Sequence, residues 1–172
     1  QPLGYGHAVY CARDFAAGEP FLLLLGDHLY RSRRENKRCA QQLIETAMAA
    51  DSAVAAVHAT REHLVGRYGT LSGKRLPDRP GLYQIENIRE KPSVTQAELE
   101  LQTPGLRAGY YLCFFGMHVL TPLVMEILER QIDAANGAPV SLSPALDELA
   151  RREQYLALEE TSRRYDVGAR YG

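Results

Sequence analysis

The chain has 172 residues, of which 45% are hydrophobic and 24% charged, and its formal net charge is −1. That length suits one domain, and that composition suits an ordinary packed core rather than a disordered or fibrous chain. The near-zero charge excludes an overall basic field that would draw nucleic acid or an anionic membrane. No apolar stretch approaches the roughly 20 residues that a membrane-spanning helix needs. Cys11, Cys39 and Cys113 form no Cys-x-x-Cys pair, which fits reduced structural thiols in a cytoplasmic protein. No signal-peptide pattern is visible, although the chain opens on Gln1 rather than Met.

Residues 1–7 are glycine-rich, with Gly4 and Gly6. A helix is expected over about 7–15; its start beside glycines suits either a phosphate- or base-cradling loop or a plain turn. Phe21 to Leu25 then run unbroken into Gly26 and Asp27. Such a run, bounded by turn residues, reads as a strand buried on both faces of a parallel sheet. Ligands of open α/β sheets bind beyond the carboxyl ends of the strands. Asp27 stands at that end, where it either holds a hard cation or caps the next element. The cluster Arg31, Arg33, Arg34, Lys37 and Arg38 reads as a solvated basic loop.

A helix follows over Cys39–Ala50, with Leu43, Ile44, Ala47 and Met48 on its apolar face. A buried strand is expected at 53–58, a helical turn at 61–65, and strands at 67–71 and 82–88, the last ended by Pro92. After a short helix at 96–101, Tyr110–Leu120 reads as an aromatic and β-branched strand. Gly116 inside it marks close approach of a ligand or another backbone. Thr121-Pro122 starts a helix to about 135, and Asn136-Gly137 ends it. A helix at 144–152 and a strand at 154–159 complete the pattern. This alternation, with a more β-rich middle, predicts an α/β fold. It is a Rossmann-like, mainly parallel sheet flanked by helices, with a small added β-subregion.

Several short motifs stand in one order: Gln-Pro-Leu-Gly-Tyr-Gly-His-Ala-Val at 1–9, Leu-Leu-Gly-Asp-His at 24–28, Glu-Lys-Pro at 90–92 and Arg-Tyr-Asp-Val-Gly at 164–168. Phe-Phe-Gly-Met-His-Val-Leu-Thr-Pro at 114–122 adds a glycine, strand, Thr-Pro, helix pattern. In this order and spacing they resemble the sugar-nucleotide pyrophosphorylases, and most closely the bacterial UTP–glucose-1-phosphate uridylyltransferases, over nearly the whole chain. The resemblance implies a nucleotidyltransferase fold that converts UTP and glucose 1-phosphate to UDP-glucose and pyrophosphate. It also implies Mg²⁺ on Asp27, with Asp166 as second carboxylate. Gly4 would lie in the loop that contacts nucleobase and ribose, and Gly69 would contact the sugar by its backbone. Glu90 would accept sugar hydroxyls, Lys91 would bind the sugar phosphate, and Gly116 would let the chain pass close to the sugar. Asp27, Lys91 and Asp166 would form the catalytic set.

These roles agree with elementary chemistry. Mg²⁺ takes a few carboxylates together with phosphate oxygens and water. A Glu-Lys dipeptide suits a ligand with hydroxyls at one end and phosphate at the other, although an isolated pair of this kind is commonly a surface ion pair. A phosphate nucleophile is already ionised at neutral pH, so alignment and charge neutralisation suffice without a catalytic base. The chain also departs from the family pattern. The Gly-x-Gly-Thr-Arg loop that cradles nucleotide phosphates has no counterpart, so the 172 residues are expected to form a partial domain. That domain would begin about a hundred residues into the family layout, lacking the first βαβ half, and would stop before the family's C-terminal helix. Such a chain is expected to turn over little by itself. Pro139 and Ser141 stand where the family favours an acid and a glutamine, which leaves the sugar open. His28 follows Asp27 where an acid or amide is common; it either approaches phosphate or is a solvated neighbour, and the second reading is the usual one for a lone histidine. Transfer from dTTP, GTP or ATP to another sugar phosphate, a non-catalytic sugar-nucleotide-binding role, and homo-oligomerisation all stay open.

Overall fold

A computed structural model describes residues 3–168. Its elements, in chain order, are helices α1 (Tyr5–Tyr10) and α2 (Arg13–Ala16), strands β1 (Phe21–Leu24) and β2 (His28–Arg31), helix α3 (Cys39–Ala50), strand β3 (Ala53–Arg61), a 3₁₀ turn (Glu62–Arg67), strands β4 (Gly69–Arg75) and β5 (Leu82–Glu90), helix α4 (Val94–Glu100), strand β6 (Tyr110–Leu120), helices α5 (Leu123–Ala134) and α6 (Ser143–Arg152), and strands β7 (Tyr155–Glu159) and β8 (Arg163–Asp166).

Six strands form one sheet in the order β1-β6-β3-β7-β5-β4, and β2 pairs with β8 in a separate two-stranded ribbon. Side chains of β3 alternate between two cores. Ala53, Ala55 and Val57 face α5 and α6 with Ile127, Leu128, Leu146 and Leu149. Val54 and Ala56 face α3 with Leu43 and Ala47. Helices therefore cover both faces, which is why residues 53–57 read as one continuous apolar run. This is the expected α/β architecture with an added β-subregion. Strand directions are mixed: β3–β7 is parallel, whereas β6 and the β4–β5 hairpin pair antiparallel with their neighbours.

Local readings differ in several places. The single helix expected over about 7–15 is two short helices, α1 and α2, broken at Cys11 and Ala12. Phe21–Leu24 is not an interior parallel strand. It lies at the sheet edge, antiparallel to β6, with Leu24 45% exposed; among the described residues β6 is its one sheet neighbour. On α3 the buried stripe is Cys39, Gln42, Leu43 and Ala47, while Ile44 and Met48 face outward. Gln42 turns inward because its amide donates to Ser32 Oγ at 3.1 Å. Thr121 does not cap α5 with its side chain; its hydroxyl donates to Glu153 Oε1 at 2.5 Å.

Strand β6 organises the site. One edge pairs with β3 at 110–114 and at 118–119, with a bulge at 115–117 between them. The other edge pairs with β1 at 117–120 and with β4 at 112–113. Between those stretches lie Phe114, Phe115 and Gly116, the last at φ +94°. Here β1 and β4 part, and a cavity opens at the split.

Candidate functional site

The cavity has a volume of about 390 Å³. Asp27, Gly69, Glu90, Lys91, Gly116 and Asp166 all line it, so six of the seven residues singled out from the sequence converge. Gly4 does not belong to its lining, although its neighbour Tyr5 does. At φ +92°, Gly4 packs against the Val140 backbone so closely that a Cβ would collide with the Val140 carbonyl. Its glycine character answers to that contact, and the 3–6 segment is fastened there by Val140 N donating to Leu3 O at 2.8 Å and Gly6 N donating to Val140 O at 2.9 Å.

Two carboxylates far apart in sequence meet through the β2–β8 ribbon. His28 stands opposite Asp166, and Tyr30 opposite Arg164, in an antiparallel register. Directly opposed residues share one face. His28, Tyr30, Arg164 and Asp166 are the half-buried positions of the two strands, alternating with exposed Leu29, Arg31, Arg163 and Tyr165. Val167 N donates to Asp27 O at 2.8 Å, which closes the ribbon over Asp27. Gly168 permits this: a Cβ there would lie 2.7 Å from Asp27 Oδ2. One donor atom each from Asp27, His28 and Asp166 lies within 4.8 Å of the others. Opposed ligands of a small divalent cation stand about 4.2 Å apart, so small rotations of these side chains suffice to hold one. The donor set fits a metal.

His28 is therefore not a solvated neighbour. Its side chain is 8% exposed, against 57% for Asp27. Burial first, and then the Arg164 guanidinium, push its imidazole below the usual range, while Asp27 and Asp166 pull the other way. The ribbon's inner face rests on Gly116, where a Cβ would lie 2.6 Å from both His28 Nδ1 and Tyr30 Oη. Gly116 O accepts from Leu25 N at 3.0 Å and from Tyr30 Oη at 2.8 Å.

On the opposite wall, Ser143 Oγ donates to Glu90 Oε2 and ties that carboxylate to the start of α6. Gly69 leaves room for it: a Cβ would lie 2.7 Å from the Phe114 ring and 3.3 Å from Glu90 Oε2. Lys91 has φ +45°, the left-handed region that ordinary residues avoid, and its N–H donates to Tyr68 O at 3.2 Å. The turn before Pro92 thus bends the chain between Glu90 and Pro92, and both Glu90 and Lys91 line the cavity. Arg67 and Arg164 add positive charge to the lining. Arg164 is itself fixed, donating to Phe114 O at 2.9 Å and stacking over the Tyr68 ring at 4.4 Å.

Sequence reasoning missed Tyr68, Phe114, Ser143 and Arg164. The last has a signal in the sequence, since Arg164 opens the Arg-Tyr-Asp-Val-Gly motif at 164–168, but a motif marks a stretch and not which of its side chains turns inward.

Set beside known proteins, the chain is 33% identical over 174 residues to UTP–glucose-1-phosphate uridylyltransferase 1 of Streptococcus pyogenes serotype M3, covering 99% of this chain and 52% of that protein. It is 32% identical over 172 residues to UTP–glucose-1-phosphate uridylyltransferase of Bacillus subtilis, covering all of this chain and 53% of that one. The chain thus spans about half the length of the curated relatives it matches. Among solved structures it is similar to a UDP-glucose pyrophosphorylase complexed with UDP-glucose, at a TM-score of 0.80 and 26% identity over 98% of this chain and 58% of that chain. A UDP-glucose pyrophosphorylase from Acinetobacter baumannii aligns at 0.78 and 26% over 98% of this chain and 53% of its own. No protein-family model matches the chain.

Proposed function

From its 32–33% identity to UTP–glucose-1-phosphate uridylyltransferases, of whose length it spans about half, we propose that this chain belongs to their family and carries the sugar-phosphate side of a nucleotidyltransferase domain. The protein would transfer a uridylyl group from UTP to glucose 1-phosphate. The observation that carries the reading is the convergence of Asp27, Gly69, Glu90, Lys91, Gly116 and Asp166 on one cavity.

Each side chain has a task that its position supports. The Lys91 ammonium pairs with the sugar phosphate and holds it for in-line attack. The attacking phosphate oxygen is ionised at neutral pH, so no side chain has to remove a proton, and the work is alignment and charge compensation. Glu90, held by Ser143, accepts hydrogen bonds from sugar hydroxyls. Gly69 and Gly116 keep the walls low, so that backbone rather than side chains meets the sugar. Gly4, outside the cavity lining, would act beyond its rim, toward the nucleobase and ribose. Asp27 and Asp166 would hold Mg²⁺, which supplies charge compensation on the phosphate oxygens when bound. Among the described residues no helix is long and apolar enough to cross a membrane. Cys11, Cys39 and Cys113 are free thiols, which supports a cytoplasmic setting.

The test is twofold. UDP-glucose should bind the chain in calorimetry, and binding should weaken at least about tenfold in Lys91→Ala, the loss of one charge-assisted contact. The native gene product should release pyrophosphate from UTP and glucose 1-phosphate in a divalent-cation-dependent assay. Absence of UDP-glucose binding, together with absence of turnover, would remove this reading.

A further inference from the structure

We propose that His28 is a third metal ligand, through Nε2, and that its imidazole shifts the preference of this site from Mg²⁺ toward a nitrogen-accepting divalent cation such as Mn²⁺. The proposal rests on the reading of Asp27 and Asp166 as metal-holding carboxylates and goes beyond it.

Geometry fixes which nitrogen is available. Tyr30 has one hydroxyl hydrogen, and it is donated to Gly116 O at 2.8 Å. The same oxygen lies 3.3 Å from His28 Nδ1. With that hydrogen committed to the carbonyl, the Tyr30 oxygen can only accept from the ring, so Nδ1 carries the proton. Nε2 then keeps its lone pair on the other side of the imidazole, 3.9 Å from Asp27 Oδ1. Two acceptors face each other across a gap that no hydrogen bond spans but a cation would bridge. A ligating histidine held by a hydrogen bond on its other nitrogen is the usual supporting arrangement in metal sites, because it fixes tautomer and ring direction.

The fold builds this arrangement rather than merely allowing it. The ribbon register sets His28 opposite Asp166. Gly116 vacates the space that the His28 and Tyr30 tips occupy, and Gly168 vacates the space against Asp27. His28 cannot turn away, since its side chain is 8% exposed.

An imidazole among the ligands changes the choice of ion. Mg²⁺ favours oxygen ligands and gives up water reluctantly. Imidazole nitrogen suits first-row transition metals, and affinity for such mixed sites rises from Mn²⁺ upward. Mn²⁺ is the conservative prediction, because it shares the taste for carboxylates and phosphate oxygens while accepting nitrogen.

The decisive measurement is electron spin-echo spectroscopy of the chain loaded with Mn²⁺ alone. The expected result is ¹⁴N modulation from a directly bound imidazole in the unaltered chain. His28→Ala should lose that modulation and bind Mn²⁺ at least about tenfold more weakly, with a much smaller change for Mg²⁺. His28→Asp keeps a donor in place, so it should hold both cations with no nitrogen signal, which covers the case that the alanine variant misfolds. Bound Mn²⁺ without ¹⁴N modulation in the unaltered chain would overturn the role of His28 and leave the carboxylate reading standing. A nitrogen signal that persists in both variants would likewise overturn it. Failure to bind Mn²⁺ at millimolar concentration would overturn both.

Discussion

His118 should make the protein sensitive to mild acid. The side chain is 6% exposed, its Nδ1 lies 2.8 Å from Tyr155 Oη, and the Phe114 ring stands edge-on to it at 4.8 Å. Burial pushes its pKa down to about 4 from an ordinary value of 6.5. Above pH 6.5 the imidazole is neutral in both the folded and the unfolded chain, and its contribution is fully present. Below pH 6.5 the unfolded chain takes a proton that the folded chain refuses, so stability is lost progressively until about pH 4. With those two values, proton linkage gives a loss of about 2.5 kcal/mol between pH 7.5 and pH 4.5, a large part of a typical domain's stability. Burial also lowers His28 and His58, so the bare pH profile mixes three groups. The comparison that isolates one is His118→Gln, which keeps a polar partner for Tyr155 but does not titrate. Urea unfolding followed by circular dichroism at both pH values should show the unaltered chain losing about 2.5 kcal/mol more than the variant. Equal losses would mean that His118 is protonated in the folded state, and that the assignment of a neutral buried imidazole is wrong.

Gly116→Ala should cost about 1–2 kcal/mol through its φ of +94° alone, and more as the new methyl displaces His28 and Tyr30; thermal melts should show the loss, and Mn²⁺ affinity should fall with it. Lys91→Gly should be more stable than Lys91→Ala by about 0.5–1 kcal/mol, because only glycine relieves the left-handed backbone; a melt in which alanine is the more stable would remove the strain assigned to that turn. In the native gene product, Lys91→Ala should act mainly on KM for glucose 1-phosphate, since the phosphate is present in ground and transition states alike. Asp27→Ala should instead lower kcat at least about a hundredfold, the usual cost of losing a preorganised electrostatic group; near-normal kcat at saturating metal would show that Asp27 is no ligand.

How much of this could be read from the residues depends on how local each determinant is. Helix α3 and strands β3 and β6 were legible because their own side chains decide them: a periodic stripe, a short apolar run, and an aromatic strand ended by Thr-Pro. The Phe21 run was misplaced because apolar content records a need for cover, not which strand supplies it; here β6 covers one edge and the leucines stay half exposed. Strands β2 and β8 gave almost nothing, since neither is stable without the other and their pairing joins residues at opposite ends of the chain. Asp27, Glu90, Lys91 and Asp166, each marked by a motif, line the cavity. Ser143 and Arg164 give no such sign, Arg164 although it opens the 164–168 motif, because they reach the cavity only after α6 and the ribbon have docked.

Gly116 shows why position mattered more than residue type. From the sequence, a glycine inside a long strand announced close approach by a ligand or another backbone. In the folded chain a Cβ there meets three side chains, His28, Tyr30 and Leu25, and the glycine admits the ribbon that carries His28 and Asp166. The same glycine lines the cavity, so one missing side chain serves both the cavity wall and the docking of His28. From the sequence His28 reads as solvated because a lone histidine is usually unremarkable, yet the structure buries it while its neighbour Asp27 stays exposed. Once β2 pairs with β8, the face that holds His28 must also hold Tyr30, Arg164 and Asp166, and that face rests on Gly116, the Phe115 ring, the Phe114 carbonyl and the Tyr68 ring. Burial of the imidazole and proximity to two carboxylates are therefore a single consequence of one register. A one-residue slip of the ribbon would abolish both together.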